Sequence, residues 1–310
     1  MNLASRSDSR SDLAGSTVLL TGARGFTGAY VKAELEQAGC RVVGVVVAEP
    51  AQNEVELDLT DSAASRAVVD AVRPDYVVHL AAISFVQHAD AAEFYRVNVV
   101  GTTNLLQALV DASVKPRAVL MAGSANVYGN AGGVLTEAQA PQPVNHYAAS
   151  KLAMEHMVAT FAERLPVVVT RPFNYTGAGQ EARFLVPKIV SHFVRREPVI
   201  ELGNLDVVRD FSDVRDVARV YRRLLEVDAT GQTVNVCSGQ GYALRQVIEA
   251  MQEIAGYEIE VRVNQSFVRE SEVKTLIGSP QHLWNLIGEQ AAIPLPQTLQ
   301  WMHASGKGSL

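Results

Sequence analysis

The strongest constraint on the fold is a short apolar run followed at once by a glycine-rich turn. Residues 17–20 form the run, and Gly22, Gly25 and Gly28 follow it as a helical pattern begins over residues 26–37. Glycines at this spacing permit a tight turn, close approach to a pyrophosphate and close packing of helix on strand, while the helix N-terminus faces the phosphate. A lone glycine pattern is often only a turn, but one between a first strand and a first helix indicates dinucleotide binding.

The rest of the N-terminal half alternates between apolar runs and helical patterns. Continuous β-branched runs suit parallel strands that are covered on both faces. Further runs lie at 41–47, 55–59, 76–80, 118–121 and 167–170, with helical patterns at 62–72, 91–112 and 145–163. We therefore expect an α/β fold, a Rossmann-type doubly wound parallel sheet built from right-handed βαβ units.

The alternation loosens in the second half of the chain. We expect an NAD(P)-binding Rossmann domain over residues 16–172, with residues 208–240 returning to it, and a smaller C-terminal α+β substrate domain mainly over residues 173–300. Residues 1–15 are rich in Ser, Asp and Arg, which is typical of a disordered tail, and residues 301–310 are expected to be similarly loose.

Composition excludes several classes of protein. A net charge of −6 argues against a nucleic-acid partner, and no apolar run reaches the ~18–20 residues that a membrane span needs. Cys40 and Cys237 are far apart and suit neither a disulfide framework nor a metal cluster, which favours a reducing cytoplasm. His79, His88 and His146 show no metal spacing, and His79 at a strand end is typical of a packed histidine. We expect a cytoplasmic protein without a metal.

A tyrosine and a lysine stand four residues apart in a predicted helix. Tyr147 and Lys151 would share one face of that helix, one turn apart. Free tyrosine titrates near ~10, and a cation at ~4 Å in an effective dielectric of ~20 supplies roughly the 4 kcal/mol that a three-unit drop in its pKa requires. An isolated pair is usually a surface lysine beside a half-buried tyrosine, so chemistry here requires a cofactor and a third polar group nearby.

The type of dinucleotide depends on the end of the second strand. NAD-binding proteins of this design carry an acid there, on the ribose 2′-hydroxyl, whereas Val46 is apolar and Glu49 lies in the following turn. Arg24, inside the glycine turn, offers a guanidinium for a 2′-phosphate, the alternative being a solvated turn residue. We predict NADPH, with NADH left open. Asp58 and Leu59 are placed either to contact the adenine or to form a plain strand-end turn.

Several motifs occur in the order found in one known family. They are Thr21-Gly22-x-x-Gly25-Phe26-x-Gly28, Asp58-Leu59, His79-Leu80-Ala81-Ala82, Asn98, Ser124-x-x-x-Tyr128-Gly129, Tyr147-x-x-x-Lys151 and Arg171-Pro172-Phe173-Asn174. Over nearly all of residues 16–300 the sequence resembles the extended short-chain dehydrogenase/reductases, the NAD-dependent epimerase/dehydratase superfamily, that act on nucleotide sugars. Within it, residues 202–216, 235–239 and 271–279 are most similar to GDP-4-dehydro-6-deoxy-D-mannose reductases, which form GDP-D-rhamnose. Those reductases carry Arg-Pro where this chain has Arg269-Glu270.

The resemblance implies a catalytic trio. Tyr147 would be the general acid, Lys151 would lower its pKa and hold the nicotinamide ribose, and Ser124 would hydrogen-bond the substrate carbonyl oxygen. Implied cofactor contacts, besides Tyr147 and Lys151, are Gly22, Arg24, Gly25, Phe26, Gly28, Asp58, Leu59, Leu80, Ala81, Ala82 and Asn98. A structural amide is an equal alternative for Asn98. The resemblance also implies a homodimer, formed through a four-helix bundle of the helices near 91–112 and 145–163.

The implied substrate is a GDP-linked deoxy-sugar. Arg209, and after it Arg269, are candidates for its diphosphate because a guanidinium fork fits phosphate oxygens. The other candidate contacts are Ser84, Ser124, Asn126, Asn174, Lys188, Gly203, Asn204 and Glu272. Each has an ordinary alternative as a surface ion pair or a solvated loop residue.

Two positions beside Ser124 separate related reactions. The 4,6-dehydratases of the superfamily carry an acidic pair there, and GDP-fucose synthases carry a cysteine at the second position. Here the residues are Ala125 and Asn126, which provide no acid, base or thiol. We therefore expect NAD(P)H to reduce the 4-keto group of GDP-4-dehydro-6-deoxy-D-mannose, giving GDP-D-rhamnose or its C4 epimer. The alternatives are a nucleotide-sugar C4 epimerase with tightly bound NAD, a reductase of a GDP-6-deoxy-4-keto-heptose, and a non-catalytic dinucleotide-binding protein.

Overall fold

A computed structural model describes residues 13–84, 90–267 and 273–307 of the chain. The strands in chain order are β1 (Thr17–Thr21), β2 (Arg41–Val46), β3 (Glu54–Glu56), β4 (Tyr76–His79), β5 (Ala118–Ala122), β6 (Gly133–Leu135), β7 (Val167–Pro172), β8 (Asn174–Thr176), β9 (Val199–Leu202), β10 (Val208–Asp213), β11 (Thr233–Val236), β12 (Gly241–Ala243), β13 (Glu260–Val263) and β14 (Thr275–Gly278). Seven of them form a parallel sheet in the order β11-β7-β5-β4-β1-β2-β3. The predicted Rossmann-type fold is confirmed.

Helices cover both faces of this sheet. The helices of the described structure, in chain order, are α1 (Phe26–Gln37), α2 (Ser62–Val72), α3 (Ala91–Tyr95), α4 (Thr102–Asp111), α5 (His146–Ala159), α6 (Leu185–Val194), α7 (Val214–Glu226), α8 (Leu244–Ala255), α9 (Gln281–Ile287) and α10 (Leu295–Lys307). Several begin at a side-chain cap: Asp61 accepts from the N–H groups of Ala63 and Ala64 to start α2, and Asn145 accepts from Ala148 N–H to start α5.

The sheet separates two hydrophobic cores, because successive side chains of each strand point to opposite faces. Leu20 of β1 packs on one face with α1, α7 and α9. Leu19, the preceding residue, packs on the other face with α2, α4 and α5. Both side chains are fully buried. The continuous apolar strands therefore arise from burial on both faces, as in other parallel sheets.

The helical pattern predicted over residues 91–112 is divided in the structure. Between α3 and α4, the segment Arg96–Gly101 is π-helical. Asn98 and Gly101 are buried within it, and a Cβ placed on Gly101 would lie 3.1 Å from Leu59 Cβ. A π-helical turn widens the helix and is found mainly where a side chain has a special position.

The second half of the chain contributes to both parts of the molecule. A second sheet has the order β12-β10-β14-β6, with β8 also pairing with β10, and β9 pairs with β13. A third hydrophobic core joins this part to α6, α8 and α10. By contrast β11 and α7 belong to the first sheet and its cover. The second sheet is reached directly from the carboxyl end of β7, since β8 follows β7 in the chain and pairs with β10.

Both chain ends extend further into ordered structure than the sequence indicated. The sequence predicts a disordered tail over residues 1–15, but the Leu13 side chain is 2% exposed and packs in the same hydrophobic core as α1. The predicted loose tail over residues 301–310 is also too long, because α10 continues to Lys307 with Met302 and His303 buried. Among the described residues, none of the helices is long and apolar enough to cross a membrane.

Candidate active site

The glycine turn between β1 and α1 allows close backbone approach. Gly22 has a φ of +71°, and a Cβ placed there would lie 2.9 Å from Ala81 N. A Cβ on Gly28 would lie 2.1 Å from Gly22 O, so α1 rests directly on the turn. Gly25 caps α1 without a side-chain hydrogen bond, and such a helix N-terminus suits an anion. The turn therefore fits the pyrophosphate of a dinucleotide.

A chain of hydrogen bonds joins this turn to the end of β4. Thr21 Oγ1 accepts from the N–H groups of Leu80 and Ala81, both at 3.1 Å, and lies 2.7 Å from His79 Nδ1. Because it accepts twice, the Thr21 hydroxyl donates to Nδ1, and His79 Nε2–H donates to Thr102 Oγ1 at 2.9 Å. Burial lowers the pKa of His79 to about 3, in agreement with a neutral ring. The sequence indicated a packed histidine but not its role in fixing this loop.

An aromatic pair holds the start of α1 against β8. Phe26 stacks on Tyr175 with ring centroids 6.2 Å apart and planes 10° apart. The Tyr175 hydroxyl lies 2.8 Å from Thr27 Oγ1. Sequence reasoning missed Tyr175, although it directly follows Asn174 in a motif that was singled out. The structure shows a packing role for Phe26, and its contact with a cofactor stays a prediction.

Asp58 and Leu59 follow β3, at the carboxyl edge of the main sheet, where the glycine turn also follows β1. The exposed Asp58 carboxylate accepts from Thr60 N–H at 2.9 Å and from Thr60 Oγ1 at 2.8 Å, bonds that lower its pKa. Leu59 is buried against Gly101. This geometry is the strand-end turn that the sequence offered as one of two interpretations. The adenine contact stays a prediction.

Asn98 connects the loop after β4 to α5. Its Oδ1 accepts from Ile83 N–H at 2.9 Å, and its Nδ2 donates to Ile83 O at 3.2 Å and to Ser150 Oγ at 3.0 Å. The side chain thereby positions the loop that carries Ala82 and the exposed Ser84. These bonds show the structural role that the sequence left open for Asn98, while direct cofactor or substrate contacts from these residues stay predictions.

Three predicted catalytic residues meet at the carboxyl end of β5. Ser124 starts a short 3₁₀ turn, and its Oγ accepts from Asn126 N–H at 3.2 Å. The Tyr147 hydroxyl, from the first turn of α5, is hydrogen-bonded to Ser124. Lys151 lies one turn later and its Nζ donates to Ala122 O at 2.7 Å. Ser124, Tyr147 and Lys151 are each at most 8% exposed, so their polar groups act in a low-dielectric environment.

Burial dominates the electrostatics of this trio. It raises the pKa of Tyr147 to about 12, against the opposing hydrogen bond from Ser124. Burial also lowers the pKa of Lys151 to about 8, while the charge of Glu155 raises it. In the protein alone, desolvation of the phenolate outweighs that hydrogen bond, and the predicted lowering of the Tyr147 pKa by Lys151 stays a prediction. Tyr147 therefore holds its proton firmly at neutral pH.

Comparison with known proteins identifies the family. The sequence profile described as the NAD dependent epimerase/dehydratase family matches residues 18–237, which is more than half of the chain. The chain belongs to this family.

Two curated relatives and one solved structure are similar over most of the chain. The GDP-6-deoxy-D-talose 4-dehydrogenase of Aggregatibacter actinomycetemcomitans is 40% identical over 87% of this chain and 91% of its own. The GDP-6-deoxy-D-mannose reductase of Pseudomonas aeruginosa is 36% identical over 73% of this chain and 78% of its own. The structure of RMD from Pseudomonas aeruginosa complexed with NADPH has a TM-score of 0.84 and 31% identity, covering 96% of this chain and 99% of that one.

In this member of the epimerase/dehydratase family, a buried ion pair supports α5, the helix that carries Tyr147 and Lys151. Glu155, one turn after Lys151 on α5, accepts from Arg171 of β7 at 2.7 Å, and both side chains are 8% exposed. Arg171 Nη1 also donates to the Tyr128 hydroxyl at 3.1 Å, which donates to Asn235 Oδ1 on β11 at 2.7 Å. Sequence reasoning missed this network. An arginine in an apolar strand was the available signal, since a buried charge needs a partner.

The two positions expected from the sequence to distinguish related reactions lie beside Ser124. Ala125 is buried, and the exposed Asn126 donates through its Nδ2 to Ser124 Oγ at 3.3 Å. An amide neither gives nor takes a proton at neutral pH. Within residues 13–84, 90–267 and 273–307, no three His, Cys, Asp or Glu side chains gather in a way that would hold a metal ion.

Some of the predicted substrate-binding residues lie close together near α6 and β9, next to the third hydrophobic core. Lys188 Nζ donates to Glu201 O at 2.8 Å and lies 4.9 Å from the centre of the Phe267 ring. A Cβ on Gly203 would lie 2.8 Å from Phe267 O, and Asn204 Oδ1 accepts from a backbone N–H two residues later. Phe267, which is 49% exposed, was not among the predicted residues. Substrate contacts from Lys188, Gly203 and Asn204 stay predictions.

Other predicted substrate residues lie on or near the second sheet. Arg209 of β10 donates through Nη1 to Val273 O at 2.8 Å, so its guanidinium ties β10 to the segment before β14. The exposed Asn174 lies on β8, which pairs with β10. Contact of Arg209 or Asn174 with a diphosphate stays a prediction. Arg269 and Glu272 lie outside the described residues.

Proposed function

We propose that this chain reduces the C4 ketone of a GDP-linked 4-dehydro-6-deoxy-hexose with NADPH or NADH. The observation that carries the proposal is the buried trio in which the Tyr147 hydroxyl bonds to Ser124 and Lys151 lies one turn away. The glycine turn at the adjacent strand end supports a dinucleotide cofactor. The two curated relatives support the substrate class, because their names describe a 4-dehydrogenase and a reductase of GDP-6-deoxy-hexoses.

The residues of the trio have distinct roles in ketone reduction. The reduced cofactor, when bound, supplies a hydride to the ketone carbon. Ser124 Oγ–H and the Tyr147 hydroxyl hydrogen-bond the ketone oxygen, and Tyr147 transfers its proton to that oxygen as negative charge develops. The Lys151 cation stabilises the phenolate that remains. The hydride and the proton together convert the ketone to an alcohol.

The positions beside Ser124 favour reduction over dehydration. Loss of water from the sugar requires an acid and a base at separate carbons, whereas reduction of a ketone requires one proton donor. Ala125 and Asn126 add no titratable group. A C4 epimerase with tightly bound NAD is the second candidate, because it would use the same trio.

Incubation with GDP-4-dehydro-6-deoxy-D-mannose and NADPH, and separately NADH, tests the proposal. We expect one equivalent of reduced cofactor to be consumed for each ketone, measured by absorbance and by chromatography of the GDP-sugar. NMR then distinguishes GDP-D-rhamnose from GDP-6-deoxy-D-talose, the C4 epimers represented by the two curated relatives. Interconversion of GDP-sugars without net consumption of cofactor would refute reduction and support the epimerase.

The pH dependence of the reaction is expected to report Lys151. The ammonium is charged below its pKa of about 8 and neutral above it, and the charged form is the one that stabilises the phenolate. We expect kcat/KM for the reduced cofactor to be level below about pH 8 and to fall roughly tenfold per pH unit above it. In Lys151→Arg the guanidinium keeps its charge, so any residual activity should lack this decline. A wild-type profile that stays level well above that pH would contradict the role.

We also propose a homodimer that pairs the helices of residues 91–112 and 145–163 with their equivalents in a second copy. Tyr95 at the end of α3 is 36% exposed and Val100 between α3 and α4 is 48% exposed, so this region presents apolar groups to solvent. Val100→Asp is expected to give a monomer in size-exclusion chromatography with light scattering. Val263→Asp, at an equally exposed valine on β13, should leave the dimer intact. A monomeric wild type would rule the dimer out.

The proposed enzyme belongs in the cytoplasm. Cys40 is buried and donates through Sγ to Leu13 O, and Cys237 is half-buried. Two cysteines far apart in the sequence form no disulfide framework, which suits a reducing compartment.

A further inference from the structure

The guanidinium of Arg24 is bound to the protein itself through each of its nitrogens. Nε donates to Glu54 Oε1 at 3.2 Å, and Nη2 donates to Glu54 Oε2 and, at 2.7 Å, to Glu49 O. Nη1 donates to Ala48 O at 3.4 Å. The pair with Glu54 is therefore bidentate, which is the arrangement in which arginine binds carboxylates and phosphates most specifically.

Glu54 is held in place from several directions. Its side chain is 12% exposed, although that of Arg24 is 50% exposed. Oε2 also accepts from Ala51 N–H at 2.9 Å. A Cβ placed on Gly44 of β2 would lie 2.8 Å from Ala23 Cβ and 3.4 Å from Glu54 Cγ. The carboxylate thus occupies a corner where the glycine turn, β2 and β3 meet.

This corner is where doubly wound proteins hold the adenosine ribose of a dinucleotide. In that design an acid near the end of the second strand binds the 2′-hydroxyl, or a nearby arginine accepts a 2′-phosphate. The end of β2 carries Val46 and the exposed Val47 instead of an acid. Glu54 enters the corner from β3, so acid and arginine are both present and bound to each other.

We propose that Glu54 sets the preference between NADPH and NADH by holding Arg24 in this ion pair. The inference rests on the proposed use of a nicotinamide cofactor by this site. A 2′-phosphate must take the guanidinium from Glu54 and then lies beside a carboxylate of its own sign. The 2′-hydroxyl of NADH carries no charge and leaves the pair intact. Loss of the Glu54 charge should therefore favour the phosphorylated cofactor.

The charged neighbours of the pair do not reverse this expectation. Glu49 adds negative charge near Arg24, and Lys32 of α1 acts on Glu54 from the other side. Neither is bound to the Arg24 guanidinium through its side chain in the described structure, so the direct competitor for Arg24 is Glu54.

Calorimetric titration with 5′-AMP and with 2′,5′-ADP tests the proposal, because these probes differ only in the 2′-phosphate. We expect Glu54→Gln to increase the affinity for 2′,5′-ADP relative to 5′-AMP by about tenfold, the order of one charge-assisted contact. Arg24→Gln should lower that ratio. In the double variant the ratio should match Arg24→Gln alone, since Glu54 acts through Arg24. Glu56→Gln, at an exposed glutamate of the same strand, is the matched control and should leave the ratio unchanged.

Two results would overturn the proposal. One is an unchanged ratio in Glu54→Gln. The other is an equal increase without Arg24, which would mean that Glu54 repels the phosphate directly. The probes contain neither the nicotinamide nor the GDP-linked hexose, so failure of ketone reduction would not change these ratios. A wild-type protein that binds neither probe would refute both this inference and the proposed cofactor. Thermal unfolding of each variant confirms that the fold is retained.

Discussion

Tyr147→Phe is expected to lower turnover of the ketone by roughly 10²–10⁴-fold, the usual contribution of a positioned general acid. The change removes one oxygen from a side chain that is 8% exposed, so the packing of the ring is retained. Because the lost group acts on the reacting oxygen, kcat should fall while the affinity for NADPH, measured by titration, stays close to that of the wild type.

Tyr95→Phe is the matched control for this variant. Tyr95 lies near the start of α5, where its hydroxyl is 3.1 Å from His146 Nδ1, and its side chain is exposed. Loss of that hydroxyl should leave turnover nearly unchanged. A Tyr147→Phe protein that turns over at the wild-type rate would show that the proton comes from another group.

Arg171→Met is expected to lower the free energy of unfolding by about 3–5 kcal/mol, because it leaves Glu155 charged and buried without its partner. The Glu155 carboxylate would lose three guanidinium hydrogen bonds, and the Tyr128 hydroxyl would lose one. Urea denaturation followed by circular dichroism measures the change.

Two further variants distinguish the loss of the buried ion pair from the ordinary effect of removing an arginine. Arg262→Met removes an arginine that pairs with Glu260 at the surface, where both side chains are more than half exposed. That change should cost no more than about 0.5 kcal/mol. The double variant with Glu155→Met and Arg171→Met should be more stable than Arg171→Met alone, since no unpaired charge remains. Equal stability of Arg171→Met and the wild type would contradict the account of the network.

Local sequence signals were sufficient for the Rossmann sheet. The apolar runs predicted as strands are short, β-branched and bounded by turn residues, and the helix predicted over residues 62–72 matches α2 in both of its bounds. The π-helical segment was not predictable in this way. The π-helical turn depends on contacts that Asn98 makes with the loop after β4 and that Gly101 makes with Leu59, and both partners are distant in the chain.

The site was predictable where one motif carries the chemistry and not where burial decides it. The helical spacing of Tyr147 and Lys151 predicted that they share one face of α5, and the family resemblance added Ser124 to them. Their pKa values depend on how deeply α5 is buried, which no spacing reveals. The sequence offers Arg24 to a 2′-phosphate but does not reveal its ion pair with Glu54. That partner lies 30 residues later, on a strand whose register with β2 is set by tertiary contacts.

The place of β11 affects how the enzyme forms during synthesis. Residues 1–172 include the trio and six of the seven strands of the main sheet, but β7 is then an exposed edge, which invites pairing with other chains. Tyr128, which accepts from Arg171, also lacks its own acceptor Asn235 until β11 has been translated. The hydrogen-bond network beside α5 is therefore completed only after the ribosome has passed this late strand, and a nascent chain released before it would be prone to aggregate.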